Sequence, residues 1–194
     1  GEVLEAGPML RIRLDIRGYG LLEVETGLIG SYNLENILAA ASIGLHFGIS
    51  PEHLKKAIRH YRTDNNRSQQ LNTDHNVLIL DAYNANPTSM RLAIENFRSL
   101  IHPDKSVILG DMLELGEASE AAHREVIDLL ETAGFNEIIL VGSSFANAEV
   151  PESYLVFSSI TECAGWLEEH PLRDRMILLK GSRMIGLEQL LGLL

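Results

Sequence analysis

Residues 77–90 read VLILDAYNANPTSM, and this stretch decides the fold. Four apolar residues predict a buried strand, Asp81 follows it, and Pro87 opens an amphipathic helix after an asparagine-rich turn. In an open α/β sheet, ligands bind beyond the carboxyl ends of the strands, where Asp81, Asn84 and Asn86 are expected. Turn chemistry explains the asparagines and the proline, but it does not explain a carboxylate directly after four apolar residues. A binding role is therefore favoured, since a carboxylate there can accept two hydrogen bonds from a ribose diol.

The same alternation of strands and helices continues to the end of the chain. Apolar runs predict strands at 77–80, 106–109, 137–141 and 175–179, with a short extended run at 154–157. Amphipathic patterns predict helices at 87–101, 118–133, 159–169 and from 184 onward. Strands separated by helices imply an α/β fold with a doubly wound and mainly parallel sheet. Right-handed crossovers then bring three polar loops, 81–89, 110–117 and 180–183, to one edge of that sheet.

The first third of the chain has a different pattern. Polar and apolar residues alternate over 11–16 and 21–26 around a glycine-rich turn, which predicts a hairpin. A long helix is expected over 33–47 with Ser31 as its cap, and a second helix is expected from Pro51 to about residue 61. A polar linker follows at 63–68. We therefore divide the chain into an incomplete α/β piece, 1–65, and a complete α/β domain, 66–194.

Composition excludes several classes of function. The chain has 194 residues, 45% of them hydrophobic, and a net charge of −11, which disfavours general binding to nucleic acid. Its one cysteine, Cys163, excludes an internal disulfide and fits a reducing compartment. No apolar run approaches the roughly 18 residues of a membrane span, and no signal peptide opens the chain. These features together predict a cytoplasmic protein.

Two polar groups in the first 68 residues are candidates for nucleotide contacts. Asn33 and Asn36 share one face of the first helical turn, where their amides could meet a purine edge. The alternative is that they satisfy unpaired backbone groups at the helix end. Arg67 presents a fork of donors that matches phosphate oxygens, or it is simply a solvated residue of the linker.

Two polar loops after predicted strands are further candidates. The loop 110–117 carries Asp111, Glu114 and Glu117, which could receive an amine or a metal ion, or could stabilise a helix N-terminus. The turn at 180–183, which reads KGSR, could bind a carboxylate or a phosphate at the start of a helix, or could be a charged turn. The histidines show no metal-ligand spacing. Neither the GxxxxGK[ST] phosphate loop nor the GxGxxG fingerprint occurs.

The five groups of candidate residues together, in this order, resemble the Mur ligases, and the branch that adds D-alanyl-D-alanine is indicated by three strings. They are DAYNANPTSM at 81–90, GDMLELGE at 110–117 and KGSR at 180–183. The resemblance runs from about residue 30 to the end. Members of this family have a UDP-sugar-binding domain, a central ATPase domain and a C-terminal Rossmann-like domain. The resemblance implies that residues 1–65 are the C-terminal remnant of the central ATP-binding domain and that 66–194 are the C-terminal domain.

The resemblance also implies a reaction and a set of site residues. ATP, with Mg²⁺, would phosphorylate the carboxylate of UDP-N-acetylmuramoyl-tripeptide, and the amine of D-alanyl-D-alanine would attack the acyl phosphate. Asn33 and Asn36 would face the adenine, Asp81 the ribose, and Arg67 the terminal phosphates, where it would act in catalysis. The residues implied to line the dipeptide side are Asn84, Asn86, Asp111, Glu114, Ser182 and Arg183.

Two departures from the family pattern limit these expectations. Tyr32 stands where many relatives carry histidine, and both the phosphate loop and the Mg²⁺ ligands would lie upstream of Gly1. We therefore expect the chain to be part of a longer enzyme and to be inactive alone. Two alternatives stay open: a non-catalytic Rossmann-like binding module, and a ligase similar to folylpolyglutamate synthase. The string YNAN at 83–86 argues against the latter.

Overall fold

The computed structural model describes residues 1–7, 9–63 and 66–194. It divides into two compact units, Gly1–Asp64 and Asn65–Leu194. Each unit has its own hydrophobic core. Among the described residues, no helix has the length and apolar character that a membrane crossing requires.

The first unit is a three-stranded antiparallel sheet with two helices packed on it. The strands are β1 (Glu2–Ala6), β2 (Leu10–Ile16) and β3 (Gly20–Glu25), in the order β1-β2-β3. The helices are α1 (Asn33–His46) and α2 (Pro51–His60). The predicted hairpin is confirmed as β2 and β3, whose alternate residues are buried under the helices. Strand β1 was not predicted.

The predicted cap of α1 is wrong. Tyr32, not Ser31, occupies the N-cap position, and it makes no side-chain cap hydrogen bond. Instead, the backbone N–H groups of Asn33 and Leu34 donate to the carbonyls of Gly30 and Ser31. A tight turn directly before the helix therefore satisfies these donors, so a capping hydroxyl is not needed.

The second unit is a six-stranded sheet in the order β4-β5-β9-β6-β7-β8. The strands are β4 (Gln69–Asn72), β5 (Val77–Asp81), β6 (Lys105–Gly110), β7 (Glu137–Val141), β8 (Leu155–Phe157) and β9 (Met176–Lys180). All pairings are parallel except β4 with β5, so the predicted doubly wound, mainly parallel α/β sheet is confirmed. The antiparallel edge strand β4 was missed, because its sequence QQLN lacks an apolar run.

Helices cover this sheet, whose central strands are almost completely buried. They are α3 (Pro87–Ser99), α4 (Ser119–Glu131), α5 (Ser143–Ala146) and α6 (Ile160–Glu169). The helix predicted from 184 is wrong: two 3₁₀ segments, Arg183–Ile185 and Leu187–Gly192, occupy that region. Gly186 separates them with φ = 76°, a left-handed conformation that interrupts a continuous helix.

Candidate functional site

The carboxyl edge of the second unit is organised around an ion pair between neighbouring strands. Asp81 and Lys180 are the last residues of β5 and β9, and the parallel register places them side by side. Lys180 Nζ donates to Asp81 Oδ2 at 2.8 Å, although the lysine side chain is only 1% exposed. Asp81 Oδ1 accepts from the backbone N–H of Ser68 at 3.1 Å. The carboxylate, 17% exposed, is thus held rigidly at the strand end with lone pairs left for a ligand.

The same lysine fixes the loop that follows β5. Lys180 Nζ also donates to the carbonyl of Asn84 at 3.2 Å. Asn84 itself is exposed, and its Oδ1 accepts from Ala85 N. Asn86 caps α3: its Oδ1 accepts from Ser89 N at 2.8 Å, and Ser89 Oγ accepts from Asn86 N. Of these two candidate residues, Asn86 therefore has a structural task, while Asn84 faces solvent.

Two exposed arginines meet over one aromatic ring at this edge. The guanidinium carbon of Arg67 lies 4.0 Å from the ring centroid of Tyr83, and that of Arg183 lies 5.5 Å from it. Arg67 precedes β4 and Arg183 follows β9, so the two cations come from distant parts of the sequence. The structure thus brings Arg67 and Arg183 to the ring of Tyr83, which lies on the loop that follows Asp81 and carries Asn84.

Asp111 lies inside the protein, in contrast to Asp81. Its side chain is 1% exposed, and its two oxygens accept from the backbone N–H groups of Ser144 and Phe145 at 2.8 and 3.1 Å. Gly142 makes room for it, because a Cβ there would lie 2.3 Å from the Asp111 Cγ. The expected contact of Asp111 with an amine substrate does not fit this burial. Glu114, on the same loop, is exposed.

The pKa of the Asp111 carboxyl reflects these contacts. Burial by itself raises the pKa, but the hydrogen bonds outweigh it, so the pKa lies below its ordinary value. The His123 ring also lies beside the carboxylate, with Nε2 3.5 Å from Oδ1. That nitrogen also accepts a hydrogen bond from Met112 N at 3.1 Å. The contact with His123, followed by the hydrogen bonds from the N–H groups of Ser144 and Phe145, lowers the pKa.

His123 and Ser182 support the loop 110–117 from opposite sides. His123 Nδ1 lies 2.7 Å from the carbonyl of Ser119, which accepts its proton, so both ring nitrogens are engaged in the structure. Ser182 is buried, and its Oγ accepts from Leu113 N at 2.9 Å. Ser182 N donates to the carbonyl of Asp111 at 3.1 Å. Ser182 therefore links the two loops, and its hydroxyl keeps its proton for a further hydrogen bond.

A close approach of two glycines explains why these loops touch. A Cβ on Gly181 would lie 2.8 Å from the Cα of Gly110. The strands β6 and β9 are neighbours, so any side chain at this point would push their following loops apart. The KGSR turn at 180–183 and the GDM sequence at 110–112 can therefore approach closely because each carries a glycine at the point of contact.

The candidate residues of the first unit contact one another. Asn33 Nδ2 donates to the carbonyl of Ile29 at 2.8 Å, and Asn36 Nδ2 donates to Asn33 Oδ1 at 3.1 Å. Asn36 is exposed and Asn33 is half-buried. The chain thus presents a linked pair of amides at the N-terminus of α1.

Sequence reasoning missed two residues that organise the site. Lys180 was read as part of a cationic turn, but its place at the end of an apolar strand in register with Asp81 is the signal of a buried pair. Tyr83 was read as part of a family string, and nothing in the local pattern shows which side chains come to lie on its ring. Cys163 is buried, and burial raises the pKa of its thiol to about 12, so it is a core residue. Among the described residues, no three His, Cys, Asp or Glu side chains form a potential metal site.

The chain thus belongs to the class of open α/β proteins, in which ligands bind beyond the carboxyl ends of the strands. Comparison with known proteins gives the family. The family model described as "Mur ligase, glutamate ligase domain" matches residues 66–183, more than half of the chain. The chain belongs to the Mur ligase family, as the resemblance of its three strings indicates.

Individual relatives agree with this assignment. The UDP-N-acetylmuramoyl-tripeptide–D-alanyl-D-alanine ligase of Bacillus subtilis is 33% identical over 174 residues, which are 84% of this chain and 38% of that protein. A crystal structure of MurF from Acinetobacter baumannii matches 97% of this chain and 43% of its own, with 27% identity and a TM-score of 0.86. A MurF ligase of Thermotoga maritima, in complex with ADP, matches all of this chain and 44% of its own with a TM-score of 0.80; at 19% identity it supports the fold alone. The chain spans about two fifths of the length of these proteins.

Proposed function

We propose that this chain is the C-terminal portion of an ATP-dependent ligase that joins D-alanyl-D-alanine to UDP-N-acetylmuramoyl-tripeptide. The observation that carries the proposal is the carboxylate of Asp81, which Lys180 holds at the sheet edge, followed by a loop whose Tyr83 ring contacts two arginines, in a chain whose curated relatives bear that name. The setting would be the cytoplasm, where ATP is available. The tripeptide carboxylate would attack the γ-phosphorus with release of ADP. The dipeptide amine would then attack the acyl phosphate, and phosphate would leave.

On the nucleotide side, each candidate has a task that its chemistry fits. Asp81 would accept hydrogen bonds from the ribose hydroxyls, because Lys180 and Ser68 N hold its carboxylate in place. Arg67 would neutralise charge on the terminal phosphates as it develops during transfer. Asn33 and Asn36 would offer donors and acceptors to the adenine.

On the dipeptide side, the exposed residues of the two loops would meet the substrate. The fork of Arg183 would bind the dipeptide carboxylate, and Glu114 would attract its ammonium group before the amine loses a proton. Asn84 would add a polar contact. Asp111, Ser182 and Asn86 would act by holding these loops in shape, since their side chains are committed to internal hydrogen bonds.

Mg²⁺ and the phosphate loop would belong to the upstream part of the enzyme. The ion would shield the phosphate charges from the attacking carboxylate. The residues described here contain no cluster suited to hold the ion, and the chain contains no phosphate-loop motif. We therefore expect the 194-residue chain alone to hydrolyse ATP at no more than trace rates.

The test is an assay of the full-length protein with ATP, UDP-N-acetylmuramoyl-tripeptide and D-alanyl-D-alanine. ADP release that requires both substrates, with transfer of ¹⁸O from the tripeptide carboxylate to phosphate, is expected. Asp81→Asn should raise the KM for ATP, whereas Asp74→Asn, an exposed aspartate in the turn between β4 and β5, should not. ADP release without any need for the dipeptide would contradict the proposal.

A further inference from the structure

The ring of Tyr83 contacts two cations. Arg67 and Arg183 lie 4.0 and 5.5 Å from the centroid of its ring, and the ring is 37% exposed. Two guanidiniums repel each other, and a ring that attracts both offsets part of that repulsion. The face of an aromatic ring has a negative quadrupole and attracts cations within about 6 Å.

Some other arginines of this chain pair with carboxylates. Arg13 pairs with Glu2 and Glu23, and Arg175 pairs with Glu137. Within residues 1–7, 9–63 and 66–194, neither Arg67 nor Arg183 forms an ion pair with a carboxylate. The Tyr83 ring is thus the described partner of both, and the two positive charges stay available for an anion.

The ring itself is firmly placed. Ala82 and Ala85 on either side of its short segment are buried, at 1% and 2% exposure. Lys180 fixes the carbonyl of Asn84, and the cap at Asn86 fixes the start of α3. The backbone that carries the ring is thus fixed on both sides, and the tyrosine side chain has fewer rotatable bonds than the two arginines.

We propose that Tyr83 is a positioning residue that holds Arg67 and Arg183 together as one anion site. The proposal rests on the proposed function, in which Arg67 faces phosphates and Arg183 faces the dipeptide carboxylate. Because both guanidiniums share one ring, Tyr83 couples the two halves of the site. Loss of the ring affects both halves, and loss of the hydroxyl alone affects neither.

The first experiment tests the geometry in the 194-residue chain by NMR of the arginine side-chain Nε–Hε groups. We expect upfield ring-current shifts for Arg67, and smaller ones for Arg183, in the wild type and in Tyr83→Phe. Tyr83→Leu should lose them. Identical Arg67 signals in the wild type and Tyr83→Leu would overturn the proposal.

The second experiment tests anion binding to the same chain, with tripolyphosphate as the probe in calorimetry. Tyr83→Leu should bind roughly fivefold more weakly than the wild type, the effect of losing about two exposed cation–π contacts. Tyr83→Phe should stay within about twofold, since it keeps the ring. Arg98→Gln, which removes an exposed arginine at the end of α3, is the matched control and should bind like the wild type. Equal binding by Tyr83→Leu, or no binding by the wild type, would overturn the proposal.

Kinetics of the full-length protein separate this proposal from the proposed function. Tyr83→Leu should raise the KM values for ATP and for D-alanyl-D-alanine together, and Tyr83→Phe should restore both. A rise in one KM alone would contradict the coupling. Absence of ligase activity in the wild type would contradict the proposed function, while the ring-current shifts and tripolyphosphate binding of the isolated chain still decide the role of Tyr83.

Discussion

Asp81 and Asp111 occupy similar places in the sequence but very different places in the molecule. Each follows an apolar strand at the carboxyl edge of the same sheet. Asp81 pairs with Lys180 and keeps 17% of its side chain exposed, whereas Asp111 is 1% exposed and accepts two backbone hydrogen bonds. One carboxylate is thus available to a ligand and the other holds the fold. What separates them is the neighbouring strand: β9 brings a lysine to Asp81, and β7 brings a glycine and a helix start to Asp111.

The largest expected effect comes from removing the partner of the buried lysine. Asp81→Ala leaves Lys180 Nζ with the carbonyl of Asn84 as an acceptor but with no carboxylate, and we expect a loss of about 3–5 kcal/mol in the free energy of unfolding. Urea denaturation of the 194-residue chain measures it. Lys180→Met added to Asp81→Ala should recover most of the loss, because no buried charge is left. If the free energy of unfolding of Asp81→Ala lies within about 1 kcal/mol of the wild-type value, the ion pair does not stabilise the fold as we expect.

A side chain at position 142 would fill the space that the Asp111 carboxylate occupies. In Gly142→Ala, the new Cβ would lie 2.3 Å from the Asp111 Cγ in a backbone with φ = 132°. We expect a loss of about 2–4 kcal/mol from overpacking and strain, measured by thermal and urea denaturation. Gly165→Ala is the control: it lies in α6 with open space around it and should stabilise the protein by about 0.5–1 kcal/mol. Equal stability of the two variants would refute this account.

Removing the Asp111 carboxylate itself should lower the free energy of unfolding somewhat less than Gly142→Ala does. Asp111→Ala leaves the N–H groups of Ser144 and Phe145 without acceptors in a buried place, at about 2 kcal/mol in the free energy of unfolding. Glu114→Ala removes an exposed carboxylate from the same loop and should change stability by less than about 0.5 kcal/mol. If the two variants are equally stable, the assigned difference between the buried and exposed carboxylates is wrong.

The smallest effect is a pH dependence that belongs to Asp111. The pKa of Asp111 in the folded protein lies below the ordinary value of 3.8. Its contribution to the free energy of unfolding is therefore fully present above the pKa of the unfolded chain, and it is lost as the pH falls through the pKa of the folded protein. Urea midpoints measured from about pH 6 down to about pH 3 should therefore fall more steeply for the wild type than for Asp111→Asn. Parallel curves would show that the carboxylate gains nothing from its N–H partners.

Much of the fold could be predicted because it depends on local patterns. The apolar runs of β5, β6, β7 and β9 and the helical periodicity between them are properties of short segments. The edge strand β4 could not be predicted, since its polar sequence forms a strand through pairing with β5. The last predicted helix failed because Gly186 adopts a left-handed conformation between two short 3₁₀ segments.

The candidate site, like the fold, could be predicted from the sequence only in part. The sequence indicates that three polar loops share one edge of the sheet, and so it offers Asp81, Glu114 and Arg183 as candidates, whereas Arg67 is a candidate from the linker alone. It cannot distinguish Asp81 from Asp111, because each carboxylate is defined by a partner from another strand or helix. Ser182 is likewise a candidate ligand contact in the sequence. Only the structure shows that its hydroxyl oxygen accepts a hydrogen bond from Leu113 N.

By itself, the sequence determined the alternation of strands and helices, the acidic charge that disfavours nucleic acid, and the three strings that mark the family. The tertiary structure decided which polar side chains are exposed and which are committed to the fold. It paired Lys180 with Asp81, buried Asp111, and brought two arginines to the ring of Tyr83. The physical reason is that periodicity and propensity act over a few residues, whereas burial and hydrogen-bond partnership depend on strand order and register across the whole sheet.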